Sequence, residues 1–208
     1  MKLIIARPSP YARKARVALQ EKKIDCEIVV ENPWLPQTRI NDANPLGKVP
    51  ALVLDDGSVI HDSKVIFEYL ETLETPPPLI PADASARITH KQIEAIADGI
   101  CDAVVLIALE GARAEDKRSE DWIERQHKKI VAGVGELERL LGQREWFTDF
   151  GFGLAEIASV CALEYIDFRY PRFQWRDSAP GLIGLQERVS ARPSFVATVP
   201  APQVLPAL

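Results

Sequence analysis

The run Pro76-Pro77-Pro78-Leu79-Ile80-Pro81 places four prolines within six residues. Proline fixes φ and has no N–H to donate, so neither a helix interior nor a central strand can pass through such a run. It therefore divides the 208-residue chain. Ahead of it, strand and helix signals alternate. Behind it, only helical periodicity continues. This predicts an α/β domain over residues 1–75, a linker over 76–85 and an all-helical domain over 86–208.

In the first part, residues 2–6 form a short apolar run suited to a buried strand, and residues 27–30 form a second. Residues 10–23 between them have helical character, with Ala15, Ala18 and Leu19 along one face. Residues 33–44, broken by Pro33 and Pro36, read as irregular. Residues 50–54 and 58–61 flank Asp55-Asp56-Gly57, a hairpin signal. Residues 63–72 repeat Ile66, Tyr69, Leu70 and Leu73 at helical spacing. The order is β-α-β-α-β-β-α. In the second part, residues 86–113 are helical, and Ser119 is a predicted N-cap followed by Glu120 and Asp121. Residues 154–165 are apolar nearly all round, as in the central helix of a bundle. A last helix precedes Arg192-Pro193, and the three prolines in residues 200–208 predict a loosely held tail.

Composition narrows the function classes. Net charge is −5 and no basic stripe runs along the chain, which argues against nucleic acid. The longest apolar run, residues 103–109, is too short to span a bilayer. The N-terminal apolar run, residues 3–6, is too short for a signal-peptide core, so a cytoplasmic location is expected. Three widely spaced cysteines (Cys26, Cys101, Cys161) form no paired motif and read as small buried apolar residues. Three scattered histidines give no metal-ligand spacing, so no metal is expected.

Three stretches carry the chemistry: Ser9-Pro10-Tyr11-Ala12-Arg13-Lys14, Asn44-Pro45-Leu46-Gly47-Lys48-Val49-Pro50 and His61-Asp62-Ser63. Each lies where a strand gives way to a helix or where proline interrupts a strand-like run. Such places present unpaired backbone groups to a ligand. Together they point to one small, charged, peptide-like ligand. By themselves Ser9 and Pro10 also suit an N-cap and a first helical position, and Asp62-Ser63 suits another helix start.

In this order and spacing the three stretches resemble the cytosolic glutathione transferase superfamily over nearly the whole chain. The closest branches are those with Ser-Pro-Phe/Tyr at the first helix: tau- and omega-like enzymes and small bacterial relatives. Arg192-Pro193-Ser194-Phe195 is similar to the family's final-helix ending. The resemblance implies a thioredoxin-like N-terminal domain, a C-terminal helical bundle, glutathione as co-substrate and a homodimer, with a role in detoxification or stress response.

It also implies site roles. Ser9 would donate a hydrogen bond to the glutathione sulfur and favour the thiolate, helped by the positive end of its helix. Tyr11 carries a second hydroxyl that rivals Ser9 for the same role but is expected to pack. The Val49-Pro50 bond would be cis, turning the Val49 main chain toward the cysteinyl unit. Lys48 would neutralise the glycine carboxylate or stay solvated. Asp62 would meet the γ-glutamyl ammonium, and Ser63 with nearby N–H groups its carboxylate. Arg7, Pro8, Tyr11, Arg113, Tyr165 and Arg169 would line an electrophile pocket between the domains. Asp98 and Asp102 read as a solvated helix face or as contacts to the ammonium. Ser9 and Ala12 stand where thiol-exchange relatives carry cysteine, so a disulfide route is disfavoured. Gly153 stands where the family usually has a capping Ser or Thr, leaving only Glu156 of that capping box. The alternative class is a catalytically weak member of this fold kept for protein interaction.

Overall fold

The computed structural model describes residues 1–204. The chain forms two compact units. One comprises Met1–Leu79 with the described residues from Pro193 on; the other is Ile80–Arg192.

The first unit is built on a four-stranded mixed sheet in the order β2-β1-β3-β4. Strands β1 (Lys2–Ile5) and β2 (Glu27–Val30) are parallel, joined through helix α1 (Pro10–Glu21). Strand β3 (Ala51–Val53) runs antiparallel to β1, and β4 (Val59–His61) antiparallel to β3. Leu3 and Ile5 of β1 and Ala51 and Leu52 of β3 are fully or almost fully buried, as central strands require. A short helix α2 (Ile40–Ala43) lies within the stretch expected to be irregular, its Ile40 buried. Helix α3 (Ser63–Thr72) buries Ile66, Phe67 and Leu70 and packs on α1, β3 and β4.

The proline run is tied to this unit. Lys22 is 1% exposed, and its ammonium reaches Glu71 at 2.9 Å and the carbonyls of Thr75 and Pro77 at 2.7 and 3.1 Å. A buried lysine persists only with such partners. Glu71 also accepts the Leu79 N–H.

The described residues from Pro193 on pack in this unit, not with the helical one. The final helix α8 (Pro193–Val196) lies against α1. The Arg13 guanidinium sits over the Phe195 ring and donates to the Phe195 carbonyl, and Arg16 donates to the Ala197 and Thr198 carbonyls. The predicted loose tail is corrected at residues 200–204: Gln203 and Val204 are hydrogen-bonded to Arg7, Glu31 and Asn32. These groups are exposed or half-buried, and the tail supplies partners that water would otherwise provide. The rest of that tail, residues 205–208, lies outside the described residues.

The second unit contains α4 (Ala84–Gly111), α5 (Glu120–Leu141), α6 (Leu154–Arg169) and α7 (Pro180–Ser190). Helix α6 is central: all ten residues of its first part, 154–163, are buried. Helix α5 meets α4 closely at Gly133, where a Cβ would stand 2.7 Å from Ile100 Cγ1. Ser119 caps α5 as predicted, accepting the Trp122 N–H.

Two other helix starts borrow caps from distant residues. At α6, Glu156 accepts the Gly153 N–H at 2.9 Å and the Phe147 N–H at 3.0 Å. The side-chain acceptor that Gly153 lacks comes from α4: His90 Nδ1 accepts the Ala155 N–H at 3.3 Å. With Nδ1 accepting, the proton sits on Nε2, which donates to Thr148 Oγ1 at 2.9 Å. At α7, Glu138 accepts the Gly181 and Leu182 N–H groups at 2.9 and 3.0 Å. No described helix is long and apolar enough to cross a membrane.

Candidate functional site

Strand pairing decides where the three stretches lie. Ile4 of β1 pairs with Ala51 of β3, and Ala51 with His61 of β4. The exit of β1, the entry of β3 and the exit of β4 therefore share one end of the sheet. Residues 6–9, Val49-Pro50 and Asp62-Ser63 follow at that end, in adjacent rows. Rows are about 4.8 Å apart, so the three span about 10 Å. An extended tripeptide covers about the same length.

Ser9 is the N-cap of α1, with Pro10 at the first helical position. Its Oγ accepts the Ala12 N–H at 3.2 Å. A hydroxyl that accepts from the helix keeps its proton for a ligand. No acidic residue occupies the first turn of α1, so the helix end keeps its partial positive charge. Further along α1, burial chiefly, then the charges of Arg13 and Arg7, push the Arg16 guanidinium below its ordinary value. Tyr11 lies in the first turn, half-buried. Arg7 is exposed and Pro8 half-buried.

The loop before β3 is shaped by Asn44, which is 3% exposed. Its side-chain amide donates to the Lys48 carbonyl at 2.8 Å and its Oδ1 accepts the Leu46 N–H at 3.0 Å. Gly47 has φ +64°, a backbone conformation that favours glycine, and a Cβ there would stand 2.9 Å from Asn41 Oδ1, which would have to turn aside. The Lys48 side chain is exposed and Val49 half-buried, and the Val49-Pro50 bond is cis.

Asp62 caps α3 from a positive φ of 71°, its Oδ1 accepting the Lys64 N–H at 2.9 Å. Ser63 beside it is buried. A non-glycine residue held at positive φ is costly and marks a position fixed by its surroundings.

In the helical unit, Tyr165 is buried, and burial pushes its hydroxyl up to about 12 despite a hydrogen bond from Arg169. Arg169 ends α6 with its guanidinium over the Phe168 ring. Arg113, just beyond α4, pairs with Glu110, which also accepts the Ser119 N–H. It helps close the turn between α4 and α5. Asp98, expected on a solvated face, is buried, whereas Asp102 is exposed.

None of the three thiols is in a disulfide. Cys101 and Cys161 are buried as expected; Cys26 is half-buried, its thiol raised chiefly by burial. Cys26 precedes β2 and so lies at the opposite end of the sheet from Ser9. Among the described residues no cluster of three metal-ligating side chains occurs.

A family profile described as "Glutathione S-transferase, N-terminal domain" matches residues 8–73, and one described as "Glutathione S-transferase, C-terminal domain" matches residues 120–184. The Escherichia coli protein YibF, described as an uncharacterized GST-like protein, is 38% identical over 200 residues, covering 96% of this chain and 98% of its own.

The chain belongs to the glutathione S-transferase superfamily.

Its thioredoxin-like and helical parts are those of the glutathione S-transferase fold. A Methylobacterium radiotolerans glutathione S-transferase, solved with glutathione sulfonate, superposes with a TM-score of 0.95 at 43% identity, covering 98% of this chain and 96% of that one. One from Methylobacillus flagellatus, solved with glutathione bound, superposes with a TM-score of 0.92 at 40% identity, covering 96% and 99%. The sequence motifs singled out Ser9, Val49, Asp62 and Ser63, and the strand register puts them at one end of the sheet. Three structural residues left no such signal. His90, Glu138 and Gln203 act on partners 65, 43 and 196 residues away.

Proposed function

We propose that this glutathione S-transferase binds glutathione as the thiolate and transfers it to a small electrophile. The observation that carries the reading is Ser9. Its hydroxyl accepts from the helix at the end of the sheet where Val49 and Asp62 also stand. The thiolate takes the Ser9 proton as a hydrogen bond, while the Val49 main chain holds the cysteinyl unit. Asp62 and the start of α3 hold the γ-glutamyl group, and Lys48 meets the glycine carboxylate.

With an electrophilic carbon, a carbon–sulfur bond forms, the leaving group departs with the bonding pair, and the thiol proton goes to solvent. With a peroxide, two glutathiones become the disulfide while the peroxide is reduced to alcohol and water. The remaining contributions are orientation and a preset electrostatic field. Arg7, Pro8, Tyr11, Tyr165 and Arg169 belong to the electrophile side of this reading. Arg113 belongs there less well, given its bond to Glu110. A homodimer acting in the cytoplasm in detoxification or stress response completes it.

The test is calorimetric glutathione binding with ultraviolet thiolate absorbance, on wild type and Ser9→Ala. We expect binding in both, a thiolate signal at neutral pH in wild type only, and a loss in kcat/KM of about 10²-fold or more. Binding with an unchanged thiolate signal in the variant removes Ser9 from the role. No binding by wild type at millimolar glutathione leaves the interaction-only alternative.

A further inference from the structure

The parallel ladder between β1 and β2 ends in an unusual way. Its last direct rung is the Glu31 N–H donating to the Ile5 carbonyl at 2.8 Å. In a parallel ladder the next rung would be the Arg7 N–H donating to the Glu31 carbonyl. That rung is not made directly. Instead the Gln203 side chain stands between the two groups: its Oε1 accepts the Arg7 N–H at 3.0 Å, and its Nε2 donates to the Glu31 carbonyl at 2.9 Å. One side-chain amide thus replaces one peptide unit and separates the strands at that point.

The separation has a local consequence. From Arg7, beyond the end of β1, the chain turns through Pro8, closes the turn with the Ser9 N–H on the Ala6 carbonyl at 3.0 Å, and starts α1. Pro8 has no N–H, so the two backbone donors of the turn are Arg7 and Ser9, and the tail occupies one of them. Gln203 is itself held in place. The Asn32 side chain donates to the Val204 carbonyl at 2.8 Å, and upstream Arg13 and Arg16 grip the Phe195, Ala197 and Thr198 carbonyls. The described C-terminal segment therefore follows the helix that Ser9 caps and reaches the turn that presents Ser9.

We propose that Gln203 is a positioning residue for Ser9, its amide wedged between the first two strands to set the turn that carries the hydroxyl. It touches neither thiol nor electrophile, and it rests on the thiolate reading above. The wedge predicts that removing the amide lets the turn relax toward a direct rung or toward water. The Ser9 hydroxyl then points less accurately, and small displacements are costly where orientation supplies the catalysis.

The experiment uses the full chain as wild type, Gln203→Ala and Gln203→Met, the last keeping the length of the side chain without its hydrogen bonds. Two readouts are taken: amide hydrogen exchange at Arg7 without ligand, and thiolate absorbance of bound glutathione across pH. In both variants we expect Arg7 exchange at least about tenfold faster and a bound thiol about half a pH unit less acidic, which is about threefold less thiolate on the acid side of its midpoint. Glutathione affinity stays within about twofold and the melting temperature within a degree or two, so kcat falls while KM holds. Unchanged Arg7 exchange overturns the wedge. Faster exchange with an unchanged thiol titration overturns the positioning role while leaving the transferase reading intact. A wild type that shows no thiolate signal overturns the transferase reading itself, and Gln203 with it, whereas the Arg7 exchange still reports whether the amide holds the turn.

Discussion

Asp62 combines a capping role with a charge at the candidate site. Its carboxylate satisfies the Lys64 N–H, and its backbone sits at φ 71° and ψ 129°, outside the left-handed helical region. The two roles separate by substitution. Asp62→Asn keeps an acceptor and the size of the side chain but removes the charge. We expect a melting temperature close to wild type with glutathione affinity reduced about tenfold, since a charge-assisted hydrogen bond to the ammonium is lost. Asp62→Ala loses the cap as well and is expected to cost a further 1–2 kcal/mol of stability or so, read by urea denaturation (about the usual penalty for losing such a cap). Ser9 and Asp62 were legible in the sequence because each bonds a backbone N–H within three residues, so the signal is local. His90 was not legible. A lone histidine in an amphipathic helix says nothing of the N–H it will meet on α6, 65 residues later.

Helices α6 and α7 depend on other elements for their starts. Helix α7 opens with Pro180 and Gly181, and Ala179 before them offers no side-chain acceptor. Glu138 of α5 supplies it, one carboxylate serving two N–H groups. A Cβ on Gly181 would stand 2.8 Å from Glu138 Oε1, so the small residue and the carboxylate form one arrangement. Glu138→Ala is expected to destabilise the chain by about 1–2 kcal/mol, with Glu138→Gln recovering part of it through its single acceptor oxygen. The check is chemical denaturation of the three proteins side by side. Periodicity and the proline breaks placed every long helix to within a few residues, because those signals lie in the helix itself. The predicted order holds a helix between the second and third strands, but its bounds at α2 were not given, since four residues cannot display a period.

At the scale of the molecule, two buried titratable groups make stability depend on pH in opposite senses. Burial lowers His90 to about 4 from its usual 6.5 and raises Glu156 to about 7 from 4.5, against the pull of the N–H groups that Glu156 accepts. Below pH 6.5 the unfolded chain takes up the His90 proton before the folded one does, so that contribution is lost as pH falls from about 6.5 to 4. For Glu156 the folded chain holds the proton more tightly, so its contribution is complete below about 4.5 and is lost as pH rises through about 7. The two slopes oppose each other between about 4.5 and 6.5. Unfolding free energies measured from pH 4 to 8 should expose each in turn. His90→Gln should leave stability falling as pH rises through that range, and Glu156→Gln should leave it rising. Local signals in the chain account for everything whose cause lies within a few residues: the break at the proline run, the alternation of strands and helices before it, the caps at Ser9, Asp62 and Ser119, and the motifs that place the chain in its superfamily. It took long-range packing to bring the exits of β1 and β4 and the entry of β3 to one end of the sheet, to seat the described C-terminal segment with the first unit, and to let His90, Glu138 and Gln203 complete backbone groups far along the chain. Those outcomes depend on strand register and on packing across 40 to 200 residues or so, where a one-residue slip turns every side chain to the other face and leaves no local trace in composition or period.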